Sequence, residues 1–263
     1  VETGAHEEIP DPCYGTLEVL RPLFEQYKDT LVGIKQRVNY EVTGEYGLAS
    51  LEQSVKTAKQ LREEGYRCHV MVHFGPLAEG IQVEDVVGML EPGDLMTHIY
   101  RPANGTTIFD QNGKVLDCMR RARERGVLFE SGCARGHLSF DSVRKGFADG
   151  FQPDILSTDV VNYTAFKKPS GWLMVKMALY LNAGMTLEQV VKAVTYTPAK
   201  TWGLLEEAGT LEIGRPADAA IFRMYEKDYT MKDLYGGEQK CDRMLVPMAT
   251  IKRGKVAFQQ IFM

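Results

Sequence analysis

Five apolar, strand-like runs along the chain each close on a residue able to bind a metal or carry charge. They are LVGIKQR with Lys35, HVMVHFG with His73, LMTHIYR with His98, VLFESGC with Glu130 and Cys133, and DILSTD with Asp159. Between them the apolar positions fall at helical spacing. TLEVLRPLFEQYKDT precedes the first run. SLEQSVKTAKQLREEGY follows it, with Ser50 as N-cap and Gly65 as C-terminal stop. DQNGKVLDCMRRARERG predicts a helix ending at Gly126, and DSVRKGFADG predicts another before DILSTD. Strands alternating with helices at intervals of roughly 30 residues argue for parallel βα units, so the five runs are expected as consecutive strands of one sheet. In a barrel of such units, reactive groups project from the C-terminal ends of several strands.

Beyond Asp159 the pattern changes. GWLMVKMALYLNAG and TLEQVVKAVTYTPAKTWGL read as two helices, the second capped by Thr186 and carrying Pro198 near its end. GTLEIGRPADAAIFRM and MATIKRGKVAFQQI alternate like strands and turn at glycines, which predicts a small C-terminal β module. The charged stretch from Tyr225 to Met244 reads as an exposed connection.

Composition bounds the partners. The chain has 263 residues, 44% of them hydrophobic, enough for one large domain or a domain with a small appendage. A net charge of -4 with mixed signs leaves no basic footprint, so no nucleic acid is expected. No apolar run is long enough to span a bilayer, and no membrane association or signal peptide is expected. Five cysteines without CxxC spacing suit a reducing, cytoplasmic setting. The opening VETGAHEEIPDP reads like the middle of a longer protein, with Val1 not its biological start.

The segment GTLEIGRPADAAIF, with its turn at Gly214, Arg215, Pro216, Ala217 and Asp218, resembles the closing segment of the amidohydrolase superfamily. The upstream order Lys, His, His, Asp is similar to that of its binuclear members. The strings GIKQR, MVHFG, THIYR and PDILSTD resemble the dihydroorotase-like deacetylase branch, and the resemblance runs from Leu31 onward. It implies an α/β fold: a (β/α)8 TIM-type metallohydrolase barrel, here lacking its first strands, plus part of a small C-terminal β-sandwich. The implied division is residues 1–205, carrying strands four to eight, and 206–263. It also implies a zinc-dependent amidohydrolase or deacetylase that hydrolyses an amide or ester bond of a small, carboxylate-bearing acyl compound. The neighbouring choices are a cyclic-amide hydrolase of the dihydroorotase or hydantoinase kind, and a non-catalytic homologue or fragment with an incomplete metal site.

Residue by residue, the resemblance makes Lys35 a carbamylated lysine bridging two zinc ions, with His73 and His98 as ligands of one. Asp159 becomes a ligand of the other and the general base. A free ammonium cannot bridge cations; carbon dioxide must first convert the neutral amine to a carbamate, which calls for a partly buried lysine. The family's His-x-His pair, which closes the first strand, occurs nowhere in this chain. Without it, the chain is expected to hold at most one cation, weakly, through His73 and His98. Strands one to three would lie upstream, so an open sheet edge and self-association are expected.

Each residue has a plainer reading. Lys35 alone could be a solvated surface group, His73 and His98 packed core histidines, and Asp159 a loop cap; their order at successive strand ends favours the site. Arg37 shares a strand face with Lys35 and could grip a substrate carboxylate or form a rim salt bridge. His69 reads as a packed core histidine, and neither His137 nor His6 is expected to bind metal. Relatives carry Gly-His-Gly after strand seven where this chain has Gly132, Cys133 and Ala134, which implies an altered substrate contact; Cys133 itself reads as a buried thiol.

Overall fold

The alternating runs fold as five parallel strands separated by helices. The structure, a computed structural model, describes residues 10–102, 105–133, 135–162, 164–166 and 172–261. Val1, His6 and Ala134 lie outside them. The chain runs through α1 (Leu17–Gln26), β1 (Gly33–Arg37), α2 (Tyr40–Thr43), α3 (Ala49–Glu63), β2 (His69–His73) and α4 (Val83–Met89). It continues through β3 (Leu95–Thr97), α5 (Asp117–Glu124), β4 (Leu128–Gly132), α6 (Phe140–Ala148) and β5 (Ile155–Ser157). Helices α7 (Leu173–Ala183), α8 (Leu187–Val194) and α9 (Tyr196–Thr201) follow, then strands β6 (Ala219–Lys232), β7 (Glu238–Lys252) and β8 (Lys255–Gln259). Among the described residues, no helix is long and apolar enough to cross a membrane.

The first sheet has the order β1-β2-β3-β4-β5, all parallel. Its register sets Arg37 level with His73, His73 with Thr97, and Thr97 with Glu130. Successive side chains on a strand point to opposite faces. Val70, Val72, Met96 and Phe129 are therefore buried on one face, against helices such as α3, which contributes Leu51, Ala58 and Leu61. Lys35, Arg37, Met71, His73, Thr97 and Glu130 share the other. This is the α/β architecture expected, and the separate antiparallel sheet β6-β7-β8 fits part of a C-terminal sandwich.

The second sheet is bound to the first unit through α7. Asn182 Nδ2 donates to Arg243 O at 2.7 Å, while Asn182 Oδ1 accepts from Asp242 N at 2.9 Å and Arg243 N at 3.1 Å. At its far end the β6–β7 hairpin reaches the loop before α6. Asp233 Oδ2 there accepts from Phe140 N at 2.7 Å, and Tyr235 donates to Gly136 O at 2.9 Å.

Three local expectations are corrected. Tyr225 to Met244 is no exposed connection but the paired ends of β6 and β7, which bulge at Glu226/Tyr229 and turn at Gly236 with φ 82°. Charged side chains on the exposed face of these strands conceal their pairing from a hydropathy pattern. The helix predicted from DQNGKVLDCMRRARERG starts only at Asp117, because Asp110 Oδ1 accepts from Asn112 N and Lys114 N and closes a turn. TLEQVVKAVTYTPAKTWGL is two helices, broken at Thr195, which leaves the helical region at φ -127°, ψ -79°. Pro198 has no N–H for the carbonyl four residues earlier, so a continuous helix is disfavoured there. Thr186 does cap α8, in a capping box with Gln189. Ser50, in contrast, lies inside α3 and donates to Pro10 O; Leu48 holds the N-cap position.

Candidate metal centre

His73 closes β2, His98 follows β3 and Asp159 follows β5, so all three emerge at the C-terminal ends of parallel strands. His98 and Asp159 both adopt left-handed backbone conformations, at φ 68° and φ 48°. Such values are costly for non-glycine residues and persist where the surroundings hold them. Here they turn both side chains back over the sheet end instead of letting the strands run on.

The imidazoles converge. His98 Nδ1 lies 2.6 Å from Gly132 O. A carbonyl can only accept, so Nδ1 carries the proton and Nε2 keeps its lone pair. That Nε2 faces His73 Nδ1 at 3.1 Å. Two nitrogens bound to one tetrahedral cation at ordinary metal–nitrogen lengths stand about 3.3 Å apart, so the pair fits a shared ion. His137, from the 3-10 turn Arg135–His137, completes the group: one ring nitrogen from each of His73, His98 and His137 lies within 4.8 Å of the others. Asp159 Oδ2 accepts from His137 Nδ1 at 3.1 Å and lies 4.0 Å from His98 Nε2. A carboxylate behind a histidine is the arrangement that orients metal-binding imidazoles.

Gly132 is needed for this approach. A Cβ there would stand 2.7 Å from Thr97 Oγ1 and 3.3 Å from Glu130 Oε2. Thr97 and buried Glu130 thus floor the site, beneath the carbonyl that fixes the His98 tautomer.

Electrostatics keep His73 and His98 neutral. Burial, followed by the positive charges of His137, Arg37, Lys35 and Arg101, pushes His73 down to about 2. Burial also holds His98 well below the ordinary histidine range, with His137 and His73 adding to it. Asp159 is pushed up by burial, but the hydrogen bond from His137 and the charges of His98, His137 and Lys35 outweigh this and leave it lowered. Neutral His73 and His98 and an ionised Asp159 are in the protonation states that metal binding requires.

The same shifts predict acid sensitivity of the metal-free protein. An unfolded histidine takes up a proton near pH 6.5, while folded His73 and His98 do not. The unfolded state then binds more protons, so stability is complete above about pH 6.5 and falls as the pH drops below it. The expected slope is up to about 1.4 kcal/mol per pH unit for each such histidine. His69, also lowered chiefly by burial, adds to it. Urea unfolding between pH 7.5 and 5 should show this slope, and His73→Gln should reduce it by one histidine's share. A slope that survives the substitution unchanged would mean His73 is charged in the folded chain.

Lys35 differs from its expected setting. It lies on the strand face shared with His73 and its charge acts on both His73 and Asp159, but the side chain is exposed, with Nζ 3.4 Å from Met71 Sδ. Its strand β1 is an edge of the sheet, and among the described residues no strand covers it on one side. Arg37, level with His73, is half-buried at the same end. His69 packs at the opposite end of β2 against Trp202, with Nδ1 4.0 Å from Asp94 Oδ1, as a core histidine would. Cys133 is fully buried, and Lys176 donates to its carbonyl at 2.6 Å. A cavity of about 710 Å³, lined by His69, Leu128 and Asp154, lies at the N-terminal strand ends, away from the histidine cluster.

His137, for which no metal role was expected, joins His73 and His98 in the structure. It lies in no strand, and only the 3-10 turn after Cys133 folds it back over His98, with ring centroids 4.0 Å apart. The signal available was its position, a few residues beyond a run already marked as a strand end.

Comparison with known proteins gives a consistent result. The model of the amidohydrolase family matches residues 58–256. A deacetylase from Enterococcus faecalis is 26% identical over 252 residues, covering 96% of this chain and 66% of its own length. A deacetylase from Brucella anthropi is 28% identical over 218 residues, covering 82% of this chain and 52% of its own. The chain thus spans between about half and two thirds of these curated relatives. Among solved structures, an adenine deaminase superposes with a TM-score of 0.88 at 26% identity, over 98% of this chain and 68% of that one. A dihydroorotase does so with a TM-score of 0.84 at 26% identity, over 97% and 64%.

Proposed function

The chain belongs to the amidohydrolase family, and on that premise we propose that the protein is a metal-dependent hydrolase of carbon–nitrogen bonds, a zinc deacetylase acting on a small, carboxylate-bearing acyl compound. The observation that carries this reading is the cluster of His73, His98 and His137 with Asp159 against it, at the strand ends. Deacetylase relatives support the bond type. We further divide the chain into a barrel unit, residues 1–205, and a sandwich unit, residues 206–263.

On this reading the three imidazoles supply nitrogen donors, His98 in the tautomer set by Gly132 O. Asp159 supplies an anionic donor; Lys35, exposed on the strand face shared with His73, would add a second only once converted to its carbamate. A bound divalent cation would acidify a water and polarise the scissile carbonyl. Asp159 would take a proton from the attacking water and deliver it to the departing nitrogen, with His137 Nδ1 holding the carboxylate in line. Ester bonds meet the same chemistry with an easier leaving group. The substrate is a small molecule; neither nucleic acid nor membrane is part of this proposal. A cytoplasmic location and assembly with a second copy are consistent with it.

A cyclic-amide hydrolase is the second reading, favoured by the superposition on a dihydroorotase. One experiment separates them: the protein, loaded with zinc, is offered N-acetyl amino acids, O-acetyl hydroxy acids and cyclic ureides. Release of acetate that stops on chelation and returns with zinc is expected. Ring opening without acetate release would favour the second reading. A zinc-loaded protein that turns over none of the three would overturn both.

A further inference from the structure

Arg101 stands three residues beyond His98 with its backbone fixed on both sides. Its amide donates to His98 O at 3.2 Å, and its carbonyl accepts from Ser142 Oγ at 2.8 Å. The side chain is different. Nε and Nη1 are buried from solvent and find no acceptor among the described residues. Glu41 and Tyr235 act on the guanidinium through space without accepting from those two nitrogens. Buried donors left unpaired are costly and rare, so a group from outside the chain is expected to meet them. Its charge is indicated by the neighbourhood. Lys35, Arg37 and Arg101 all press positive charge on His73, and Asp159, the carboxylate of the cluster, is already engaged by His137.

We propose that Arg101 binds the carboxylate of the substrate and so makes the protein select N-acyl or O-acyl acids over their neutral counterparts. This rests on the hydrolase reading above and adds to it the residue that sets the substrate class. A guanidinium donates to both oxygens of a carboxylate and cannot lose its charge, and its burial here strengthens the contact. Arg37, level with His73 on the neighbouring strand, adds positive charge at the same end of the sheet. The scissile acyl group then lies between the fixed carboxylate and the imidazole cluster.

The test compares each of a set of N-acetyl amino acids with its carboxamide, in wild type, Arg101→Met and Arg101→Lys, all zinc-loaded. Wild type is expected to favour the acid by about 10- to 100-fold in kcat/KM, expressed mainly in KM. Arg101→Met should collapse the acid-to-amide ratio towards one. Arg101→Lys keeps the charge but not the planar fork, so its ratio should fall between the two. Melting curves establish that the variants fold. Calorimetry of the metal-free protein with the same N-acetyl amino acids separates this inference from the hydrolase reading. Binding lost in Arg101→Met upholds the carboxylate site even if no variant hydrolyses anything. Hydrolysis whose acid preference survives in Arg101→Met, or equal losses on acid and amide, overturns the inference and leaves the hydrolase reading intact. Absence of both carboxylate binding and acid preference in the wild type overturns it as well.

Discussion

Asp159→Asn is expected to lower kcat by about 10²- to 10⁴-fold, the range associated with removing a positioned general acid–base group. The substitution suits the site for a backbone reason. Asp159 sits at φ 48°, a left-handed conformation that asparagine tolerates and alanine does not. Its amide oxygen can still accept from His137 Nδ1, which now bonds Asp159 Oδ2 at 3.1 Å, so the loop should hold its place. What disappears is the basic oxygen and the negative charge beside His98. The melting temperature should therefore move little while turnover collapses. Zinc content has to be measured alongside, at saturating metal, because Asp159 is also proposed as a ligand. A variant that retains its metal and turns over within tenfold of wild type would show that another group moves the proton.

The parts of this fold that follow from the amino-acid pattern are those where burial imposes a period. Val70 and Val72 alternate with His69, Met71 and His73 because one face of β2 meets helices and the other does not, and the sequence carries the same alternation. The strand ends His73, His98 and Asp159 were legible for that reason. Elements without a period were not. The Tyr225–Met244 hairpin carries charges on an exposed sheet of one layer, so little in its hydropathy distinguishes strand from loop. The break at Thr195 depends on a dihedral, and the Asp110 turn on one carboxylate competing with helical hydrogen bonds.

The site follows the same division. His98 was legible as a strand terminus, but its tautomer depends on Gly132 O, a neighbour 34 residues away. His137 and Arg101 became functional candidates only through contacts that cross between loops, His137 with Asp159 and Arg101 with His98 and Ser142. Lys35 was legible as a residue type in order, whereas its exposure is a property of an edge strand. Linear order thus identifies which groups close the strands. Which of them touch is decided by loop conformation, and at His98 and Asp159 by left-handed backbones that a hydropathy pattern does not encode.

His98→Asn should abolish metal binding, and hydrolysis with it. Asparagine again accepts the left-handed backbone, here φ 68°, and its amide can still donate to Gly132 O, so the fold is kept while the Nε2 lone pair is removed. Wild type is expected to retain about one zinc equivalent per chain after dialysis against a mild chelator, as a single nitrogen-rich site should. His98→Asn should retain none, because only His73 and His137 then supply nitrogen. The loss in affinity should exceed the roughly 10- to 100-fold typical of an outer-shell partner. His137→Asn provides the internal comparison. If His137 is a donor, its loss matches that of His98; if it only orients Asp159, the loss stays within the outer-shell range and zinc is still retained at millimolar excess. Full zinc retention in His98→Asn would remove the imidazole cluster as the metal site. Two tightly held zinc ions in the wild-type chain would instead show that these residues include a second ligand set, and that the absence of His-x-His does not limit the chain to one cation.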